Sequence, residues 1–158
     1  MNDTAATFAA VFAALFTAHQ VGDHWVQTSC QAAEKGGPGW AGRWACSKHV
    51  ITLTLTKGIL FALAAVALDL DVTAAGLALG LGLDCLSHWW ADRRTTLAWL
   101  ASKTAKLEFM SLGTPAHPHH PVDGEGNYAP TLGTGAYSLD QAFHVFFLFL
   151  AALIIAAV

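Results

Sequence analysis

Ionisable residues recur at helical spacing inside the most apolar stretches of this chain, and that placement restricts the fold more than any other feature. The pairs are His19 with Asp23, His88 with Asp92 and Asp140 with His144, while His49 stands alone at the head of another apolar run. Residues four apart on a helix lie about 40° apart around its axis, so each pair shares a face. Such side chains are costly in apolar surroundings unless they pair, hydrogen-bond or bind metal. Three pairs therefore predict a common polar centre where several helices meet.

Four apolar segments carry these residues: about Ala5 to Val26, His49 to Leu68, Val72 to Trp90 and Leu139 to Val158. Each is close to the roughly 20 residues that a membrane-spanning helix needs. Hydrophobic residues make up 54% of the chain and charged residues only 12%, where a soluble domain carries about 25% charged. The expectation is an all-α protein, a four-helix transmembrane bundle forming one integral membrane domain over residues 1–158. Met1-Asn2-Asp3 offers no basic n-region, so the first apolar segment is expected to stay in the mature chain.

The connections predict how the helices follow one another. Gly36-Gly37-Pro38-Gly39 reads as a turn. Asp69-Leu70-Asp71 allows only a tight helical hairpin, with Asp71 or Thr73 as N-cap. A long loop separates the third and fourth segments. It opens with a polar helical continuation from Arg93 to about Met110, then becomes the Gly/Pro/His-rich stretch Ser111 to Gly135, which contains His117, His119 and His120. In an up-and-down arrangement, the polar ends of all four segments fall on one side.

Seven of the eight Lys and Arg residues flank that same side: Lys35, Arg43, Lys48, Arg93, Arg94, Lys103 and Lys106. Positive loops stay in the cytoplasm. The expected location is the bacterial inner membrane, with the polar centre and the long loop toward the cytoplasm and both termini outside. Lys57 lies within the second segment and either snorkels or, if it faces inward, pairs with an acid inside the bundle. Six tryptophans, including Trp25, Trp40, Trp44 and Trp99, gather at the loop side and read as interfacial anchors. Cys30, Cys46 and Cys85 match no ligand motif and read as small packed residues. No basic run supports nucleic acid binding.

His and Asp at this spacing suit a divalent metal, zinc foremost, with manganese or magnesium as alternatives. The candidate ligands are His19, Asp23, His49, His88, Asp92, Asp140 and His144. Asp84 and Gln27 extend two of the helical sets, and His24 points about 100° away from Asp23. Seven candidates exceed the needs of one tetrahedral zinc. Either two metals share a bridging carboxylate, or one metal takes the histidines while the aspartates orient the imidazoles. Arg93 and Arg94 follow Asp92 directly and are candidates for holding a phosphate.

At these residues the chain resembles a family of small bacterial membrane proteins classified as a domain of unknown function. The opening motif is similar to Ala18-His19-Gln20-Val21-Gly22-Asp23-His24-Trp25-Val26-Gln27-Thr28. His49, the H-x-x-x-D of His88 and Asp92, and the D-Q-x-x-H of Asp140, Gln141 and His144 complete the likeness. Two features depart from the family's pattern: His24 stands where an aromatic such as Phe is usual, and the insertion around Ala116 to Gly126 is of actinobacterial style. The resemblance implies the architecture and the polar set, and no activity.

Two functional classes follow. The first is a membrane-embedded metal-dependent hydrolase of a lipid-linked ester or phosphoester. In it, His19, Asp23, His88 and His144 hold a metal that acidifies water, Asp92 or Asp140 acts as general base, and Arg93 or Arg94 steadies the substrate. The alternative is a non-enzymatic membrane protein, whether a metal binder, a transporter subunit or a scaffold. A cleft between metal and surroundings discriminates them. Lipid is the expected partner, and the short outer loops leave lipid-facing surface for a homodimer.

Overall fold

The computed structural model describes residues 4–114 and 133–158. Among them are seven α-helices, one π-helical turn and no strand. The protein is all-α, as expected. Helix α1 (Thr4–Val21) runs into the π turn (Gly22–Val26), which Gln27 N–H closes by donating to the Gly22 carbonyl at 2.9 Å. The short α2 (Ser29–Glu34) starts at a capping box: the Thr28 hydroxyl accepts from Gln31 N–H, and the Gln31 side chain accepts from Thr28 N–H.

Helix α3 (Gly39–Leu68) is the longest at 30 residues. Thr73 caps α4 (Ala74–Asp92) by accepting from Gly76 N–H at 2.9 Å, so the expected hairpin is present with Thr73 as its cap. The polar continuation after Asp92 forms α5 (Thr95–Lys103) and α6 (Leu107–Ser111). Thr134 caps α7 (Gly135–Ala157). His117, His119 and His120, with the insertion around them, lie outside the described residues.

The four long helices close a ring: α1 packs on α3 and α7, and α4 packs on α7 and α3. Val11, Leu15, Phe61, Leu148, Ala151, Ala152 and Ile155 form the apolar core. Helices α4 and α7 approach most closely at Gly80. A Cβ there would lie 2.5 Å from Ile155 Cγ1 and 2.7 Å from the Ala151 carbonyl oxygen. A small residue at this crossing lets two backbones meet, as in helix pairs within lipid.

Among the described residues, three helical stretches are long and apolar enough to cross a membrane: Thr4–Val26, Gly39–Leu68 and Gly135–Ala157. Their outer faces expose large apolar side chains, among them Ile51, Leu55, Ile59 and Leu63 on α3 and Phe146, Phe149 and Leu153 on α7. Such a continuous apolar surface suits lipid rather than water. The third apolar segment, now α4, is not among the three, because Asp84, Ser87, His88 and Asp92 lower its apolarity; all four are buried, facing neighbouring helices. One expectation needs correction. The second helix begins at Gly39, ten residues before His49, because small Gly42, Ala45 and Cys46 face inward while Trp40 and Trp44 stay exposed, which extends the helical pattern backward.

Candidate metal centre

Each helix delivers its polar residues to the same end of the ring. His19 comes from the last turn of α1, and Asp23 from the π turn that follows. Such turns interrupt α-helices at functional positions. His49 comes from α3, His88 and Asp92 from the end of α4, and Asp140 and His144 from the start of α7. The up-and-down path thus gathers all seven predicted residues. His19, His49, His88, Asp92 and His144 are at most 2% exposed.

Four atoms at the centre lie at ligand spacing. His49 Nε2 is 3.2 Å from His88 Nε2 and 3.1 Å from Asp23 Oδ1. Asp92 Oδ2 is 3.3 Å from His49 Nε2 and 3.2 Å from His88 Nε2. Asp23 Oδ1 is 3.7 Å from His88 Nε2. Ligands of a tetrahedral zinc, with bonds of about 2.0 Å, lie about 3.3 Å apart. These five distances lie near that spacing. Two overlapping triads, Asp23-His49-His88 and His88-Asp92-His144, could each hold a metal ion.

The remaining carboxylate oxygens reach outward to supporting groups. Asp23 Oδ2 lies 3.6 Å from His19 Nε2, and Asp92 Oδ1 lies 2.8 Å from Lys35 Nζ and 3.9 Å from His144 Nε2. His144 stacks on His88 with ring centroids 3.9 Å apart and has Asp140 Oδ1 at 3.4 Å. His19 packs its ring against those of His88 and His144. Ligating carboxylates and imidazoles held by further polar partners are the usual surroundings of a protein metal site.

Hydrogen bonding within the protein leaves this centre incomplete. Among the described residues, every buried side-chain nitrogen or oxygen without a hydrogen-bond partner belongs to His19, Asp23, Gln27, His49, His88, Asp92 or His144. Native interiors pair about 90% or more of such groups. Asp23 Oδ1 and Asp92 Oδ2, one from each triad, are in this set. A cation held by either triad would satisfy its carboxylate oxygen, and that is the chemistry a metal brings to this donor set.

A cleft of about 470 Å³ opens beside the centre. Asp23 and Asp140 reach it from the centre, and Lys35, Arg94, Gln27 and Tyr137 stand on its walls. His24 lines it too, with Nε2 3.1 Å from the Tyr137 hydroxyl. The two arginines differ in placement. Arg94 lines the cleft while donating to the Ala32 carbonyl at 2.8 Å. Arg93 does not line it. Its guanidinium donates to the Lys35 and Gly37 carbonyls at 2.6 and 2.5 Å and lies over the Trp89 ring. Its backbone acceptors sit in a loop remote in sequence, which adjacency to Asp92 could not show.

Asp84 stays outside the centre. It takes Lys57 Nζ at 2.6 Å, the pairing expected of that lysine if it faces inward. Buried Cys46 faces the Trp89 carbonyl, and Cys30 is exposed. Sequence reasoning missed Lys35 as a site residue, because a loop lysine distant from Asp92 carries no periodicity. Tyr137 was missed as well; its position one turn before Gln141 on α7 was the available signal. No family model, curated protein or solved structure matches the chain.

Proposed function

We propose that this is an integral membrane metal-dependent hydrolase of a lipid-linked ester or phosphoester. The observation that carries the proposal is the set of buried His and Asp atoms without a hydrogen bond, gathered in two triads at ligand spacing beside an open cleft. Asp23, His49 and His88, or His88, Asp92 and His144, would hold a divalent cation, zinc foremost, with manganese or magnesium as alternatives. When bound, the ion polarises a carbonyl or phosphoryl oxygen and acidifies water. Lys35 balances the second oxygen of Asp92 and keeps that carboxylate aimed inward. Arg93 fixes the loop that carries Lys35.

Asp140 is the base in this reading. Its side chain is 26% exposed at the cleft, and His144 stands 3.4 Å behind it. A carboxylate so placed accepts a proton from a water in the cleft, and the imidazole orients it. The one-sided basic residues support a cytoplasmic position for the centre in a bacterial inner membrane, and the shared motifs support membership in the family the sequence resembles.

A triad joined by a fourth protein atom would fit a closed, structural metal site instead, because catalytic zinc keeps an open position. One experiment separates the two readings. Protein purified in detergent is analysed for metal, then incubated with phospholipid and polyprenyl phosphate while release of fatty acid and phosphate is followed. The hydrolase reading expects bound metal and turnover, with Asp140→Asn keeping the metal and losing turnover. Metal retained with no release from either class of substrate would leave the structural reading in place.

A further inference from the structure

Three donors line the cleft with hydrogen-bonding capacity to spare. Gln27 Nε2 is buried and has no acceptor. Lys35 Nζ gives one contact to Asp92, and an ammonium carries three donors. Arg94 Nη2 serves the Ala32 carbonyl, and a guanidinium carries five donors. They come from three separate segments: the end of the π turn, the end of α2 and the end of α4.

Arg94 is held there at a conformational cost. Its φ is 56°, uncommon for any residue but glycine, and such backbone is kept where the surrounding structure enforces it. Gly36 makes room for its stem. A Cβ on Gly36 would lie 2.6 Å from Arg94 Cδ and 3.0 Å from Cγ. Two independent features, a positive φ and a glycine cradle, thus lay the arginine along the cleft wall.

We infer that this cleft binds a phosphate group, gripped by Lys35, Arg94 and Gln27 beside the metal centre. The inference deepens the hydrolase reading and rests on it for the reacting bond. Three donors arriving from three directions match the several oxygens of a phosphate, whereas a carboxylate needs only one two-pronged arginine contact. The cleft exceeds the size of a phosphate and has space for the group attached to it. Asp23 and Asp140 repel an anion, so a cation on Asp23 strengthens phosphate binding, and phosphate strengthens metal binding by the same factor.

The test uses the full chain in a nonionic detergent, with chelator or with one equivalent of zinc. Binding of inorganic phosphate and of short-chain phosphatidic acid is followed by phosphorus NMR line broadening. Both probes are expected to bind, more tightly with zinc. Arg94→Gln is expected to weaken them at least about tenfold. Gly36→Ala, which keeps every charge and places its methyl against the Arg94 stem, is expected to weaken them as well. Circular dichroism reports folding, and Gln27→Ala supplies a milder variant should Arg94→Gln fail to fold. Binding of phosphatidic acid alone assigns the site to a lipid headgroup, and binding of inorganic phosphate alone assigns it to a soluble phosphate ester. The inference is overturned if neither probe binds, if Arg94→Gln and Gly36→Ala bind as the unaltered chain does, or if exposed Lys106→Gln weakens binding equally. Phosphate binding without hydrolysis would sink the hydrolase reading alone; hydrolysis of a neutral ester without phosphate binding would sink this one alone.

Discussion

Two polar sites share the inward face of α4, one helical turn apart. At Asp84, a carboxylate meets Lys57 at 2.6 Å, and neither side chain leaves a buried polar atom unpartnered. At His88 and Asp92, four helices bring further His and Asp residues together, and several of their buried atoms find no partner. Both sites carry a desolvation cost. The first offsets it with a single complementary contact, as a structural ion pair does. The second is arranged so that the protein alone cannot offset it, which is the arrangement expected where an external ion belongs.

The largest expected effect breaks the pair. Lys57→Met leaves Asp84 inside the bundle without its counter-charge. Removing one partner of a buried pair costs about 3–5 kcal/mol. Unfolding in detergent should show that loss, while the folded fraction keeps its full metal content. A stability change below about 1 kcal/mol would mean that Asp84 finds another partner, and the contrast with the centre would weaken.

The next effect breaks the centre. His88 belongs to both triads. Residues merely supporting a metal ligand are worth about 10–100-fold in affinity, so His88→Ala should weaken metal binding by about 100-fold or more. Competition with a chromophoric chelator measures this directly. Unchanged affinity would take the binding role away from both triads, since each depends on His88.

What the sequence made legible follows from helical periodicity. Pairs four apart, such as His19 with Asp23 and His88 with Asp92, share a face in any helix, so their convergence could be read before the fold was known. An inward Lys57 called for an acid because a lone charge there is costly, and Asp84 supplies it. The features that escaped depend on contacts without a period. Lys35 reaches Asp92 from a loop, Arg93 spends its guanidinium on two loop carbonyls, and the π turn at Gly22 sits against Leu53 of α3. The start of α3 was read late because the polar residues Arg43, Ser47 and Lys48 interrupt the apolar run, although the small residues between them keep helical spacing.

A smaller effect tests whether the two sites share a frame. Gly80 lies on α4 one turn before Asp84 and touches α7. Gly80→Ala must push Ile155 and the Ala151 carbonyl away, and overpacking of this kind costs about 1–3 kcal/mol. Because α7 also carries His144 and Asp140, the same substitution should lower turnover while sparing the Lys57–Asp84 pair, which joins α3 to α4. Equal losses at both sites, read from unfolding and hydrolysis together, would show that the whole ring shifts as one body.

The smallest expected effect is the sharpest test of the comparison. If the Lys57–Asp84 pair only sets the register of α3 against α4, apolar residues of similar volume can replace both members together. The double variant Lys57→Met with Asp84→Leu removes two desolvated charges and leaves neither alone. Such replacements are neutral or stabilising by about 1–4 kcal/mol in other buried pairs, so it should match or exceed the stability of the unaltered chain, reversing the loss seen with Lys57→Met. The corresponding exchange at the centre, Asp23→Asn with His49→Gln, also removes charge and leaves the apolar core at the other end of the ring untouched. It should be tolerated by the fold yet abolish metal binding. A pair that can be made apolar without consequence, beside a cluster that cannot, would separate what holds the helices together from what they are assembled to hold. If the double variant at Lys57 and Asp84 instead lost metal or turnover while remaining folded, the pair would belong to the working site, and the two polar sites of α4 would have to be read as one.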